Sequence, residues 1–213
     1  MPEQNNASTN PKMQEFLVTS LQEIYWAEIH LVDVLTTMGK AATDPELKQA
    51  FDLHAEQTRQ QKQRLEQVFS VMQVEPMAEP SVGLQGLFNE GWQTIDETEE
   101  GSALRDVALI VAAQKVEHYE IACYGSLITI AKTIGLNEIA TILGPTLDEE
   151  KETDASLTSI AESGLNEQAG EETETAAPVE VTAEEKEVQE IIREEVIGTA
   201  PQKSRQSTAN AEI

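Results

Sequence analysis

Four long stretches of the chain repeat their apolar residues with helical spacing, and the pattern then fades. From Met13 to about Lys40, Leu17, Leu21, Ile24, Leu31 and Leu35 recur at intervals of three, four and seven, which lays them on one side of a helix. "TDPE" at 43–46 predicts the next start, with Asp44 as cap and Pro45 in the first turn. That second helix runs to about Met72, with Leu47, Phe51, Leu65, Phe69 and Met72 on its stripe. The connection is short, so the two helices are antiparallel neighbours. Residues 73–101 read differently. "VEPMAEP" cannot be regular helix throughout, and Leu84, Leu87, Phe88 and Ile95 point to a short helix weakened by three glycines. The third long helix is predicted from near Ser102 to near Gly135, and the fourth from about Glu138 to Glu162. Between them, "TIGLN" reads as a glycine stop followed by an Asn cap. Pro145 falls inside the fourth helix and should kink it or mark an irregular first turn.

Alternation of β-branched residues is almost absent, so the fold class is all-α. Two short connections and one long crossover among four helices match a ferritin-like four-helix bundle. The expected organisation is a flexible lead at 1–11, the bundle at 12–162 and an acidic, mostly disordered tail at 163–213. Within the tail, "TAEEKEVQEIIREEVIG" at 182–198 fits a short helix with Val188, Ile191, Ile192, Val196 and Ile197 as its stripe.

Charge narrows the partners. The net charge is -25, from 39 acids against 14 bases. Such a surface repels nucleic acid and anionic membrane, and it favours cations and basic protein surfaces. The one cysteine, Cys123, allows no intrachain disulfide and suits a reducing cytoplasm. "MPEQNNASTNPK" has no apolar core and does not read as a secretion signal, and no window of 18 uninterrupted apolar residues spans a membrane.

The chemistry lies where the apolar stripes are interrupted. At about 100° per residue, Glu28 falls among Leu21, Ile24, Leu31 and Leu35 on the first helix. His54 lies beside Leu47 on the second, Glu117 and Glu120 share a face of the third, and Glu150 and Asp154 flank Leu143, Leu147 and Leu157 on the fourth. These groups sit at similar heights, so packing the helices side by side brings them to one level. Buried carboxylates cost several kcal/mol each unless they share protons or bind cations. Oxygen-rich ligands with an imidazole suit a pair of divalent ions, iron or manganese. Taken singly, each residue has a plainer reading: a boundary acid reaching water, or a hydrogen-bonded core histidine. His118, turned about 100° from Glu117, is expected to bond a carboxylate rather than an ion. His30 is expected at the surface or an interface, and Tyr25, Tyr119 and Tyr124 first of all in packing roles, with one near a redox metal able to carry a hydrogen bond or an electron.

The segments "YWAEIHLVDVL" at 25–35, "HAEQTRQQKQRLEQVF" at 54–69, "RDVALIVAAQKVEHYEIACYGSL" at 105–127 and "LDEEKETDASLTSIA" at 147–161 resemble the YciE/YciF-type ferritin-like domain family. The resemblance spans about Glu15 to Ala161, and "AAQKVEHYEIA" is its most specific block. It implies a ferritin-like bundle, usually dimeric, associated with bacterial stress responses, with Glu28, His54, Glu117, Glu120, Glu150 and Asp154 at the metal-ligand positions. The chain departs from the broader Glu-x-x-His di-iron pattern. Phe51 and Gln57 flank His54 at three residues either side, and the fourth helix carries Thr153 and Asp154 but no histidine. That leaves a second ion weakly held, differently ligated or absent. Three functions follow as expectations. The first is a di-metal protein acting on peroxide, dioxygen or iron. The second is a non-catalytic helical stress or interaction protein with the acidic tail as docking segment, and the third, least favoured, is iron storage in a shell.

Overall fold

The computed structural model describes residues 10–172 and 190–195. Four long helices form the bundle: α1 (Pro11–Ala41), α2 (Pro45–Met72), α4 (Ala103–Thr133) and α5 (Asn137–Ile160). The shorter α3 (Val82–Glu97) lies in the crossover. Local chemistry sets each start. Asn10 caps α1, with Pro11 in its first turn. Asp44 accepts from the N–H groups of Glu46 and Leu47 to open α2, and Ser81 and Ser102 cap α3 and α4. Gln73, in the left-handed region at φ 57°, closes α2.

Side-chain contacts give the direction of each helix. Gln114 of α4 reaches Asp154 and Thr158 of α5, while Arg64 of α2 reaches Thr146 and Glu149. His54, ten residues before Arg64, meets Thr153, seven residues after Thr146, so α2 and α5 run antiparallel, as α4 and α5 do across their short turn. Both oxygens of Asp106, near the start of α4, accept from the backbone N–H groups of Thr43 and Asp44 at 2.7 Å, just before α2. So α2 and α4 start at the same end and run parallel. The chain leaves α2 at the opposite end, about 40 Å away at 1.5 Å per residue, and the crossover must bring it back. It does so along α1, where Glu79 N–H donates to the Gln22 carbonyl and Phe88 of α3 stacks on Trp26.

The core is continuous from Leu17 to Leu165 and includes Leu21, Leu31, Phe51, Leu65, Phe69, Phe88 and Leu143, all fully or nearly fully buried. Because α4 touches α1, α3 and α5, its apolar residues wrap around it instead of forming a single stripe. Trp92, buried on α3 beside Leu84 and Phe88, supplies an anchor absent from the apolar set read off that segment. No helix among the described residues is long and apolar enough to cross a membrane.

Two sequence expectations need correction, the cap of α5 and the end of the helical course, and the position of Pro145 narrows a third. Asn137 is the first residue of α5 rather than its cap; Gly135, at φ 83°, makes the turn, and Leu136 occupies the cap position. Pro145 sits well inside α5, beyond its first turn. It and Thr141 both face solvent, so the carbonyl left without its N–H partner can be hydrated and the helix runs on. The helical course also does not stop at 162. A wider turn, η1 (Ala161–Leu165), and a short α6 (Asn166–Glu171) follow. Burial of Leu165 holds them, and Glu172 accepts from the N–H groups of Ala103 and Leu104 at the start of α4. Of the tail helix expected at 182–198, residues 190–195 are helical, with Arg193 bonded to Asp96 at 2.9 Å. The rest of that expectation lies outside the described residues.

Candidate metal centre

Five of the six predicted site residues converge between the four long helices. Glu28, His54, Glu117, Glu120 and Glu150 are each at most 2% exposed. One ligand atom from each of His54, Glu117, Glu120 and Glu150 lies within 4.8 Å of the others. His54 Nε2 is 3.2 Å from Glu117 Oε1 and 3.8 Å from Glu150 Oε2. Glu28 stands beside this group. It accepts the phenolic proton of Tyr124, and its charge acts on His54, Glu120 and Glu150.

Asp154 does not join them. It lies one turn beyond Glu150, and the angular drift of about 40° over four residues turns it toward the α4–α5 seam. There it is 24% exposed and pairs with His118 Nδ1 at 3.2 Å and Gln114 Nε2 at 3.2 Å. His118 therefore lies beside a carboxylate at the surface, while its Nδ1 also meets the Gln114 carbonyl at 2.9 Å. Thr153 is the residue that α5 turns toward the histidine, with Oγ1 3.4 Å from His54 Nδ1. This contact leaves Nε2 facing the carboxylates. His30 is half-buried, bonded through Nδ1 to the Trp26 carbonyl and tilted over the Trp26 ring.

A second polar layer lies next to the cluster and follows from no apolar periodicity. Arg64 pairs with both oxygens of Glu149 at 2.6 Å and donates to Thr146, and Gln61 also donates to Glu149. Glu149 faces away from the α5 apolar stripe, so only its partner on α2 explains its placement.

The cluster is under electrostatic load. Burial raises Glu28 from 4.5 to about 8, against the Tyr124 hydrogen bond and the His54 charge, which lower it. Burial also pushes Glu120 and Glu150 well above the carboxylate range, and each is raised further by its acidic neighbours. For His54, burial alone would lower the imidazole. The charges of Glu117 and Glu28 outweigh it, and the net displacement is upward. Tyr124 is raised first by burial and then by Glu28.

Many ligand atoms here have no hydrogen-bond partner: Glu28 Oε2, His54 Nε2, Glu117 Oε2 and both oxygens of Glu120 and Glu150. Buried carboxylate oxygens without partners are relieved either by protons, which the raised pKa values favour, or by a cation seated among them. Four carboxylates, which are hard donors, and one imidazole, which is borderline, suit iron or manganese in the divalent state. The set contains no thiolate, which sets it apart from the common structural zinc sites. Fully ionised, four carboxylates balance two divalent ions. The residues present therefore fit a divalent metal site, with Asp154 outside it.

Fold and donor set together describe a carboxylate-lined helical bundle. Residues 12–170 match the family described as Domain of unknown function (DUF892), and the chain belongs to that family. It is 39% identical over 160 residues to Protein YciF of Escherichia coli strain K12, covering 74% of this chain and 95% of that protein. The crystal structure of the E. coli stress protein YciF superposes with a TM-score of 0.69, covering 72% of this chain and 97% of that one. YcfI from Rhodopseudomonas palustris follows at 35% identity and a TM-score of 0.67, covering 69% of this chain and 93% of its own. A Xanthomonas campestris protein at 22% identity and a TM-score of 0.58, covering 74% of this chain and 99% of that one, shares the fold. The resemblance seen in the sequence is thus to the family to which the chain belongs.

Proposed function

We propose that the chain is a di-metal carboxylate protein that holds two iron or manganese ions and acts on peroxide, dioxygen or ferrous iron in a stress response. The observation that carries this reading is the set of buried, unpartnered carboxylate oxygens facing one imidazole nitrogen. Glu28, His54, Glu117, Glu120 and Glu150 would hold the ions. The metals would supply open coordination positions and a reversible change of oxidation state.

The chain's own residues do the rest. Thr153 fixes the His54 ring through Nδ1. Tyr124 holds a proton against one oxygen of Glu28, so that carboxylate can gain or lose it as local charge changes. Ile24 and Leu31 flank Glu28 one turn away, and Phe51 and Ala113 stand in the same relation to His54 and Glu117; all four are buried and give the cluster apolar walls. Dry walls strengthen every charge interaction inside.

The association with stress responses rests on the likeness to the E. coli stress protein. The homodimer and the cytoplasmic location inferred from the sequence belong to the same proposal, and analytical ultracentrifugation tests the former. The decisive experiment is metal analysis of protein purified without chelator, followed by peroxide consumption. About two iron or manganese ions per chain and metal-dependent peroxide loss support the reading. Protein that neither retains nor responds to either metal overturns it.

A further inference from the structure

A cavity of about 290 Å³, open to solvent on one side, lies between α1 and α4 at the start of α3. Its floor is apolar: Ile24, Leu84 and Leu127, each almost completely buried. Its polar groups are hydroxyls and one acid: Ser20, Ser126, Tyr119 and Glu23, with Ser81, whose hydroxyl caps α3. Cys123 forms part of the wall; burial raises its thiol to about 11, so it is neutral at physiological pH.

The cavity adjoins the carboxylate cluster on both helices. Cys123 lies three residues beyond Glu120 on α4, and Ile24 lies four residues before Glu28 on α1. One helical turn, about 5.4 Å, therefore separates the cavity wall from a cluster carboxylate on either side. The rim depends on a close approach. A Cβ on Gly83 would lie 2.6 Å from Cε2 of Tyr119, so the missing side chain at 83 lets that ring settle against the start of α3.

We propose that this cavity binds a neutral molecule with a compact apolar body and one hydroxyl or hydroperoxyl end, and that it is the approach by which such a molecule reaches the carboxylate–histidine cluster. The apolar floor takes the body. Glu23 accepts the O–H proton, and the serine and tyrosine hydroxyls bond the oxygen. Glu23 and the strongly acidic surface reject carboxylates and phosphates of similar size. The part about approach rests on the metal reading; the binding part does not.

The test uses 2-phenylpropan-2-ol as a neutral probe, followed by ligand-observed NMR on the full chain. Saturable binding to the metal-free protein is expected, with benzoate showing none. Ser20→Phe and Ser126→Phe fill the cavity from opposite walls, and each should weaken probe binding by about tenfold; helicity and melting temperature show whether each variant folds. Gly83→Ala displaces the Tyr119 ring and should change the affinity without changing metal content. In manganese-loaded protein, the probe's proton signals should broaden only while it is bound.

Probe binding insensitive to both filling variants overturns the site. Tight manganese retention with bound probe and no broadening overturns the approach. Binding that weakens as chain concentration rises through a dimer transition assigns this face to a second copy and also overturns the proposal. Failure of the protein to retain manganese counts against the metal centre alone, because the metal-free titration still decides the cavity.

Discussion

Glu28→Gln in metal-free protein isolates the cost of enclosing one acid. The folded chain raises Glu28 from 4.5 to about 8, mainly by burial. The folded state therefore holds a proton that the unfolded state releases, and stability falls as pH rises between those values. At about 1.4 kcal/mol per pH unit, the whole displacement amounts to roughly 5 kcal/mol, an upper value because neighbouring acids titrate with it. Near pH 7 about 3 kcal/mol of that is already lost. His54, also raised, adds a loss of the same sign as pH climbs through its folded value. Glutamine keeps an oxygen for the Tyr124 hydroxyl but has no proton to lose. Urea unfolding of chelator-treated protein at pH 5, 6.5 and 8 should give a stability that drops with pH in the wild type. The drop should be shallower in Glu28→Gln, with the two proteins converging at pH 5. A wild-type stability that is flat or rises over this range would refute the electrostatic account of the cluster.

The remaining predictions concern ligands and joints. Replacing Glu117 and Glu150 together with glutamine should raise metal-free stability at pH 8 and abolish the rise in melting temperature on adding manganese, read by differential scanning fluorimetry. Asp154→Ala should leave the metal-to-protein ratio unchanged by elemental analysis, since its carboxylate pairs with His118 and Gln114 at the seam. Asp106→Asn can accept only one of the two N–H groups now bound at 2.7 Å. It should cost about 1–3 kcal/mol in urea unfolding while metal stoichiometry is retained.

The bundle was legible because its signals are local and repeated. Leu17 to Leu35 declare a face, and Asp44–Pro45 declare a start. The same periodicity exposed the cluster, since Glu28, His54, Glu117, Glu120 and Glu150 interrupt apolar stripes and all prove buried. Asp154 shares that signal yet faces the seam. An angular position near a stripe cannot separate two acids a turn apart when only one meets the other helices. Thr153, Arg64 and Glu149 were illegible for the opposite reason, because each sits off its stripe and has a role only through a partner on another helix. The extension to Glu171 escaped notice because one buried residue, Leu165, and one cap made by Glu172 hold it, too little to stand out in an acidic run.

The crossover splits the chain into two hairpins, α1–α2 and α4–α5, and each carries an incomplete share of the cluster: Glu28 and His54 on one, Glu117, Glu120 and Glu150 on the other. Neither could grip a cation firmly before the two halves dock. A cation seated between them would act as a clasp across the seam, strengthening the joint far more than either half. Stripping it should then loosen the halves from each other first, and amide exchange would rise along the facing surfaces before the hairpins themselves melt.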